Sequence, residues 1–268
     1  MDPRKACFAC LSREPPALFE AALWIAAEHA PQTLPAASLA ALDNLQQEVR
    51  PALTGAGPVE QAQQLLRRLS DLGFAEDDDF PLLPRAALLP LVLRRRRGQP
   101  LALALITLEL AHREGIALQG VNFPGHFLLR VPNADHLLDP ATGRRLYTRD
   151  CRDLLARMLG NQVELQAAHL QVASPTAMLQ RLSRNLRQLH MASGEPMAAL
   201  KDAQRVVELG EASMSDHLAR ADLYHLLDCP QAERYDLERA LLLCDDATEQ
   251  LRLARRLEAI VVSRPALH

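Results

Sequence analysis

The sequence predicts an α+β fold that is mostly helical. Leu and Ala are abundant and aromatic residues make up only 4% of the chain, a composition that favours helix. Apolar residues recur at helical spacing over most of the length, whereas residues 118–147 show short alternating runs typical of strands. We therefore expect a small antiparallel sheet inside a helical protein, with a helical region over 1–90, a core over 91–172 and a helical repeat tail over 173–268.

The first ninety residues predict helices joined by loops. Apolar stripes centred on Leu23, Leu42 and Leu65 have the three- or four-residue spacing of helices packed on one face. Residues 75–84 contain four acidic residues and two prolines, which indicates an exposed loop. A short helix is expected over 88–97, where four arginines at 94–97 suit a solvated helix C-terminus better than an anion or nucleic-acid site.

A helix that is apolar almost all round is predicted over 101–114. Such a helix is buried on most sides, and Gly115 is a typical residue to end it. The period then changes to that of strands, and His126 falls within a predicted strand, 126–131, whose partner returns over 136–139. Cys151 begins an i, i+3, i+4, i+7 apolar stripe that ends at Met158, which predicts a core thiol.

The tail contains an internal repeat. Pro196 and Pro230 lie 34 residues apart, and in that register Asp202 matches Asp236. A 34-residue period on helix pairs is the spacing of tetratricopeptide repeats. Two repeats cannot bury a continuous apolar face alone, so we expect them to pack on the core or on a last helix over 247–260.

Composition excludes several functional classes. The formal net charge is −3, which gives no electrostatic footprint for nucleic acid or an anionic membrane. The apolar runs are shorter than a bilayer span, and the first twenty residues do not resemble a secretory signal. Cys7 and Cys10 have the spacing of zinc ligands, but no second ligand pair accompanies them, so we predict no metal and no cofactor. Reduced cysteines and the missing signal predict a cytoplasmic protein.

Three motifs carry the chemistry of the core. They are Arg-Gly-Gln-Pro-Leu at 97–101, Phe-Pro-Gly-His-Phe at 123–127 and Leu-Asp-Pro at 138–140. In a Cys-His-Asp triad the thiolate attacks a carbonyl, the imidazole moves the proton and the carboxylate orients the imidazole. A thiol at the N-terminus of a buried helix has a lowered pKa, which activates it.

These motifs resemble the transglutaminase-like core, and in particular a bacterial group of the SirB type that joins this core to a tetratricopeptide tail. The resemblance implies a papain-like arrangement in which His126 is the catalytic histidine and Asp139 the orienting aspartate. We therefore expect the two side chains to lie within hydrogen-bond reach across adjacent strands. The nucleophile position falls on Pro100, which cannot attack a carbonyl. The motif residues Gln99, Asn122, Phe123 and Phe127 are candidate binding residues.

Two functions are consistent with this pattern. The first is a catalytically silent transglutaminase-like protein that binds a protein or peptide partner through its repeat tail or the former active-site groove. The second is a hydrolase or transferase that uses His126 as a general base without a cysteine nucleophile. The proline at position 100 favours the first, so we predict that the protein is not an enzyme.

Overall fold

The computed structural model describes residues 2–33, 35–55 and 57–260. Twelve α-helices and six short strands occur in this part of the chain, as the mostly helical α+β prediction requires. The helices are α1 (Pro3–Leu11), α2 (Leu18–His29), α3 (Pro35–Val49), α4 (Pro58–Asp71), α5 (Leu89–Arg95), α6 (Pro100–Arg113), α7 (Thr148–Leu159), α8 (Pro175–Ala192), α9 (Pro196–Glu208), α10 (Met214–Leu226), α11 (Pro230–Leu242) and α12 (Ala247–Ala259).

The strands form two separate sheets. Strands β1 (Ala75–Glu76) and β2 (Arg97–Gly98) pair in parallel. Strands β3 (Gln119–Val121), β4 (Leu128–Arg130), β5 (Leu137–Leu138) and β6 (Arg145–Leu146) form an antiparallel sheet in sequential order. This second sheet confirms the predicted change of period after α6.

The chain divides into two compact units, Met1–Leu182 and Ser183–His268. In the first unit α2, α4 and α5 pack against α6, the predicted buried helix. Nine of its residues are buried, because apolar side chains occupy nearly every face of its first three turns. The three-part division inferred from the sequence, with boundaries near residues 90 and 172, stays a prediction.

The acidic segment after α4 differs from the exposed loop that its composition predicts. Asp77 has a side chain only 1% exposed, and both Asp77 and Asp79 accept hydrogen bonds from Arg95. The backbone of Asp77 also donates to the carbonyl of Gly98. The expected solvated arginine run is therefore only partly correct, because its charges are needed here to neutralise a buried carboxylate.

The second unit contains the repeat as a structural feature. Helices α9 and α11 both begin at a proline and both span 13 residues. Asp202 and Asp236 are fully buried at equivalent positions, and each meets a histidine and an arginine. His190 and Arg205 contact Asp202 at 2.7 and 2.8 Å, while His217 and Arg220 contact Asp236 at 2.8 and 2.7 Å.

The predicted last helix is α12, which packs against α11. Leu253 of α12 is buried in a cluster with Leu237, Ala240 and Cys244. The apolar face left by the second repeat is thus covered in part by α12, as the sequence predicts. The assignment of these helices to the tetratricopeptide class stays a prediction. No helix in the described residues combines the length and apolarity needed to cross a membrane.

Candidate functional site

The N-terminus of α6 is held tightly by the segment that precedes it. The backbone N–H of Gln99 donates to the carbonyl of Ala86 at 2.7 Å. A Cβ atom on Gly98 would lie 2.7 Å from a methyl group of Val92, so this close approach requires glycine. Pro100 is the first residue of the helix, a position that proline favours because its missing N–H has no helical partner there.

The first turns of α6 contain no group that could attack a carbonyl. The residues after Pro100 are Leu101, Ala102, Leu103 and Ala104, and all four are buried. The one hydroxyl of the helix belongs to Thr107, which donates to the carbonyl of Leu103 at 2.9 Å. The structure therefore places neither a thiol nor a free hydroxyl at the nucleophile position of the resemblance.

His126 lies in the loop that connects β3 to β4, two residues before β4 begins. The prediction that it lies on a strand is wrong, because Pro124 and Gly125 form a turn that delays the start of pairing. Gly125 has φ +71°, and its Cα faces Met158 so closely that a Cβ would lie 2.5 Å from that side chain. The backbone N–H of His126 donates to the carbonyl of Phe123 at 3.0 Å, which fixes the turn.

Asp139 follows β5 at the same end of the sheet. Leu129 pairs with Leu138, so the chain positions of His126 and Asp139 are brought to neighbouring strand ends. The Asp139 Oδ1 accepts hydrogen bonds from the backbone N–H groups of Ala141 at 2.7 Å and Thr142 at 3.2 Å. These bonds hold the carboxylate in its own turn.

The interaction between His126 and Asp139 is electrostatic. Burial lowers the pKa of His126, the negative charge of Asp139 opposes that effect, and the positive charges of Arg181 and Arg157 lower the pKa further. No hydrogen bond joins the two side chains in the part of the chain that is described. The hydrogen bond expected between them is thus not formed; the Oδ1 atom of Asp139 accepts from backbone amides of its own turn instead.

Glu76 joins this pair through the parallel strands. In the β1–β2 pairing, Glu76 lies opposite Gly98. Gly98 is two residues before Pro100, the first residue of α6. Partial burial raises the pKa of its carboxyl group, and the charge of Asp139 raises it further. The N-terminus of α6, Glu76 and Asp139 therefore belong to one neighbourhood. The sequence offered no signal for Glu76, which is one of four acids in a segment expected to be a loop.

Arg181 of α8 is a second residue that sequence reasoning missed. Its guanidinium donates to the carbonyl of Phe123 at 3.0 Å and lies 5.8 Å from the ring centroid of Phe127. It thereby fixes the loop that carries His126 and adds positive charge beside the imidazole. A residue 55 positions away from His126 has no local pattern that could announce this contact.

The candidate binding residues divide by their exposure. Phe123 and Phe127 are buried and belong to the core beneath the loop, whereas Gln99 and Asn122 are partly exposed. The Asn122 Oδ1 atom is buried and accepts no hydrogen bond within the described residues. An unsatisfied acceptor of this kind has a free-energy cost that an incoming N–H donor would remove.

Cys151 does not supply a substitute nucleophile. It is 2% exposed in the cluster formed by β-sheet residues and α7, and burial raises the pKa of its thiol. The prediction of a core thiol is confirmed. Met158, the last residue of the predicted apolar stripe, is instead 52% exposed, because it covers Gly125 at the surface.

Known proteins share sequence similarity with this chain, and the family match falls mainly within its first unit. Residues 36–184, more than half of the sequence, match the transglutaminase-like superfamily. A UPF0162 protein of Pseudomonas aeruginosa is 68% identical over 270 aligned residues, with 100% of both chains covered. A UPF0162 protein of Xylella fastidiosa is 35% identical over 178 residues, 64% of this chain and 63% of that protein. Human F-box only protein 21 is 32% identical over 114 residues, 38% of this chain and 17% of that protein. The chain belongs to the transglutaminase-like superfamily and, within it, to the UPF0162 family.

Proposed function

We propose that this protein is a catalytically silent, SirB-type member of the superfamily that binds a protein or peptide. The observation that carries the proposal is Pro100 at the first position of α6, where a thiol enzyme of this fold needs its nucleophile. His126 and Asp139 lie at neighbouring strand ends, where the charge of Asp139 acts on the imidazole without a hydrogen bond. A frame without a nucleophile cannot form an acyl intermediate.

The residues around the His126 loop include polar groups that a peptide could engage. Gln99 lies at the start of α6, and the Asn122 Oδ1 is buried without a hydrogen-bond partner in the described residues, so a peptide N–H would reach it only if the loop moves. Phe123 and Phe127 support the loop from below, so they would shape the groove without touching the ligand. Groups on the peptide that satisfy a buried acceptor contribute to affinity and to orientation.

The tail offers a second surface for a partner. Several large apolar side chains of this unit are at least half exposed: Met197, Leu226, Tyr235, Leu242 and Leu251. Helical repeats of 34 residues commonly present such residues to extended peptides. We propose a tetratricopeptide-like tail as the partner-binding element, with the core groove as the alternative surface.

A cysteine introduced at position 100 tests the silent frame. We would use a Cys229→Ser background, because Cys229 is exposed whereas the other four cysteines are buried. The background protein should incorporate no fluorescent amine into casein and should resist rapid alkylation. The Pro100→Cys variant should gain a thiol with an apparent pKa below about 8.5, the value of a free thiol, because the helix N-terminus stabilises the thiolate.

Matched variants separate the contributions to that thiol. Adding His126→Ala should return the alkylation pKa toward about 8.5 if the imidazole also faces position 100. A thiol pKa of about 8.5 in Pro100→Cys itself would show that neither the helix N-terminus nor His126 stabilises a thiolate at position 100. Amine incorporation by the Cys229→Ser background protein would contradict catalytic silence directly.

The alternative function is a hydrolase or transferase that uses His126 on water or on a substrate nucleophile. The lowered pKa of His126 favours this alternative, since the imidazole stays neutral at physiological pH and can accept a proton. Comparing the hydrolysis of activated esters by wild type and by His126→Ala decides between the silent binding protein and the hydrolase or transferase. Equal rates support the silent protein, whereas a rate that depends on His126 supports the alternative.

Peptide selection locates the binding surface. Peptides selected on the full chain would be measured by fluorescence anisotropy against Asn122→Ala and Gln99→Ala, and separately against Tyr235→Ala and Leu242→Ala. We expect one pair to weaken binding at least about tenfold, the usual cost of a truncated anchor residue. If no selected peptide binds, or if neither pair changes affinity, the binding role is wrong.

A further inference from the structure

A cavity separate from the His126 loop lies between the antiparallel sheet, α7 and residues 165–171. Its volume is about 330 Å³, and its walls are largely apolar: Leu137, Leu146, Leu165, Leu170 and Cys151. A volume of this size is in the range of small-ligand pockets, which combine apolar walls with a few polar groups. Five polar residues also line the cavity: Arg130, Asp135, His136, Thr148 and Gln171.

His136 lines this cavity and has one nitrogen without a hydrogen-bond partner within the described residues. Its side chain is 5% exposed, and its Nδ1 atom lies 2.8 Å from the Oδ1 atom of Asp135. The hydrogen bond from His136 lowers the pKa of Asp135, so that carboxylate is ionised and accepts the Nδ1 proton. The Nε2 atom at the opposite side of the ring is buried and has no hydrogen-bond partner within the described residues.

Arg130 supplies a positive charge without an internal counterion. It is the last residue of β4 and is partly buried. Across the described ranges the guanidinium of Arg130 makes neither an ion pair nor a hydrogen bond. The cations that act on Asp135 are His136 and Arg145, so that carboxylate does not neutralise Arg130. An unpaired guanidinium at the edge of an apolar cavity favours a negatively charged ligand.

We propose that this cavity binds a small carboxylic acid with an apolar body. The carboxylate would accept hydrogen bonds from Arg130 and from the Nε2–H group of protonated His136, while the apolar body lies against the leucines and Cys151. With the Asp135 carboxylate on the same wall, one guanidinium and one imidazolium leave a net charge of +1, which matches a single negative charge on the ligand. This site is independent of the function proposed for His126.

The proposal predicts tighter binding in mild acid. Protonation of His136 creates the second donor, so the affinity for a carboxylate should rise as the pH falls. The ionisable groups that face this imidazole are Asp135, Arg130, Cys151 and Tyr147, whose ring centroid lies 5.5 Å away. The pH dependence should be lost in His136→Gln.

Calorimetric titration with 4-phenylbutyrate tests the site on the full chain, with 4-phenylbutanol as the neutral counterpart. We expect the acid to bind at least about tenfold more tightly than the alcohol, because a charge-assisted pair contributes over 1.4 kcal/mol. His136→Gln and Arg130→Gln should each remove most of this preference. The matched controls are His112→Gln and Arg149→Gln, both exposed residues that do not line the cavity.

A spectroscopic readout keeps the proposal testable if a variant fails to fold. In the ¹³C,¹⁵N-labelled wild type, 4-phenylbutyrate should shift the His136 side-chain nitrogen signals and perturb the methyl groups of Leu146 and Leu170. Equal affinity for acid and alcohol, or an unchanged affinity in His136→Gln, would overturn the proposal. Perturbations confined to other parts of the chain would do the same.

Discussion

The imidazole of His126 binds a proton less readily in the folded protein than in the unfolded chain. Burial disfavours the charged form, and Arg181 and Arg157 add repulsion that Asp139 only partly offsets. Below the ordinary histidine pKa of about 6.5 the unfolded state therefore binds more protons at this residue than the folded state. The free energy of unfolding must then decrease as the pH falls through this range.

We predict that His126→Gln weakens this pH dependence. Urea unfolding of wild type should give lower midpoints at pH 5.5 than at pH 7.5, and the difference should be smaller in the variant. An NMR titration of His126 should give an apparent pKa below about 6.5. Exposed His112 provides the control, since His112→Gln should leave the pH dependence of wild type unchanged. An identical dependence in His126→Gln and wild type would contradict the prediction.

A buried carboxylate destabilises the folded protein when its counterion is removed. The pKa of Asp77 is lowered by its hydrogen bonds from Arg95, so the carboxylate is ionised although its side chain is 1% exposed. Arg95→Ala would leave that charge without its counterion. We expect a loss of about 2 kcal/mol in the free energy of unfolding, because an unsatisfied buried charged group costs about 1–3 kcal/mol or more.

The neighbouring arginine gives a matched control for that prediction. Arg94→Ala removes an exposed side chain of the same type and should change stability by less than about 0.5 kcal/mol. Urea unfolding at pH 7 compares both variants with wild type. Equal effects of the two substitutions would show that position on the helix, and not the ion pair with Asp77, determines the stability.

At the scale of the elements, α6 shows what burial does along one helix. Leu105 is 1% exposed, whereas Leu108 is half-buried beside a surface cavity. We expect Leu105→Ala to cost about 2–5 kcal/mol, the range for a leucine in a packed core. Leu108→Ala should cost about 1 kcal/mol, because less apolar surface returns to water. Thermal and urea unfolding measure both, and a larger effect at Leu108 would contradict the assignment.

Prolines at helix starts help to explain why most helices could be predicted from the sequence. Pro100, Pro196 and Pro230 each begin a helix, where the missing N–H costs nothing.

The pairing of β1 with β2 could not be predicted. Two-residue strands are too short to show an alternating pattern, and the paired residues Ala75 and Arg97 lie 22 positions apart. The same limit hid Glu76, which enters the candidate site only through this pairing.

The candidate site was predictable where its residues follow one another in the chain. His126 and Asp139 lie within one strand–turn–strand segment, and the antiparallel register brings their strand ends together. The absence of a hydrogen bond between their side chains was not predictable, because it depends on the local backbone amides of Ala141 and Thr142, which donate to the carboxylate instead. Arg181 comes from a distant helix, so its contact with the His126 loop depends on tertiary packing.

At the scale of the whole molecule, the repeat of the second unit rests on two equivalent buried aspartates. Asp236 accepts from His217 at 2.8 Å and from Arg220 at 2.7 Å, and it is fully buried. Asp202 accepts from His190 of α8 and from Arg205, which lies three residues later on its own helix α9. A repeated polar cluster fixes which helix faces meet, because any other packing would leave a buried charge unpaired.

We therefore predict that Asp236→Ala and Asp202→Ala each destabilise the unit from Ser183 onward by about 3 kcal/mol, as expected when one partner of a buried ion pair is removed. Asp245→Ala, at an exposed position on the same unit, should have an effect below about 0.5 kcal/mol. The measurement is urea unfolding followed by far-ultraviolet circular dichroism. The single tryptophan, Trp24, lies in α2 of the first unit, so its fluorescence reports that unit separately. Losses below about 1 kcal/mol in both variants would show that apolar packing alone specifies the helix pairs, since unsatisfied buried polar groups cost at least that much.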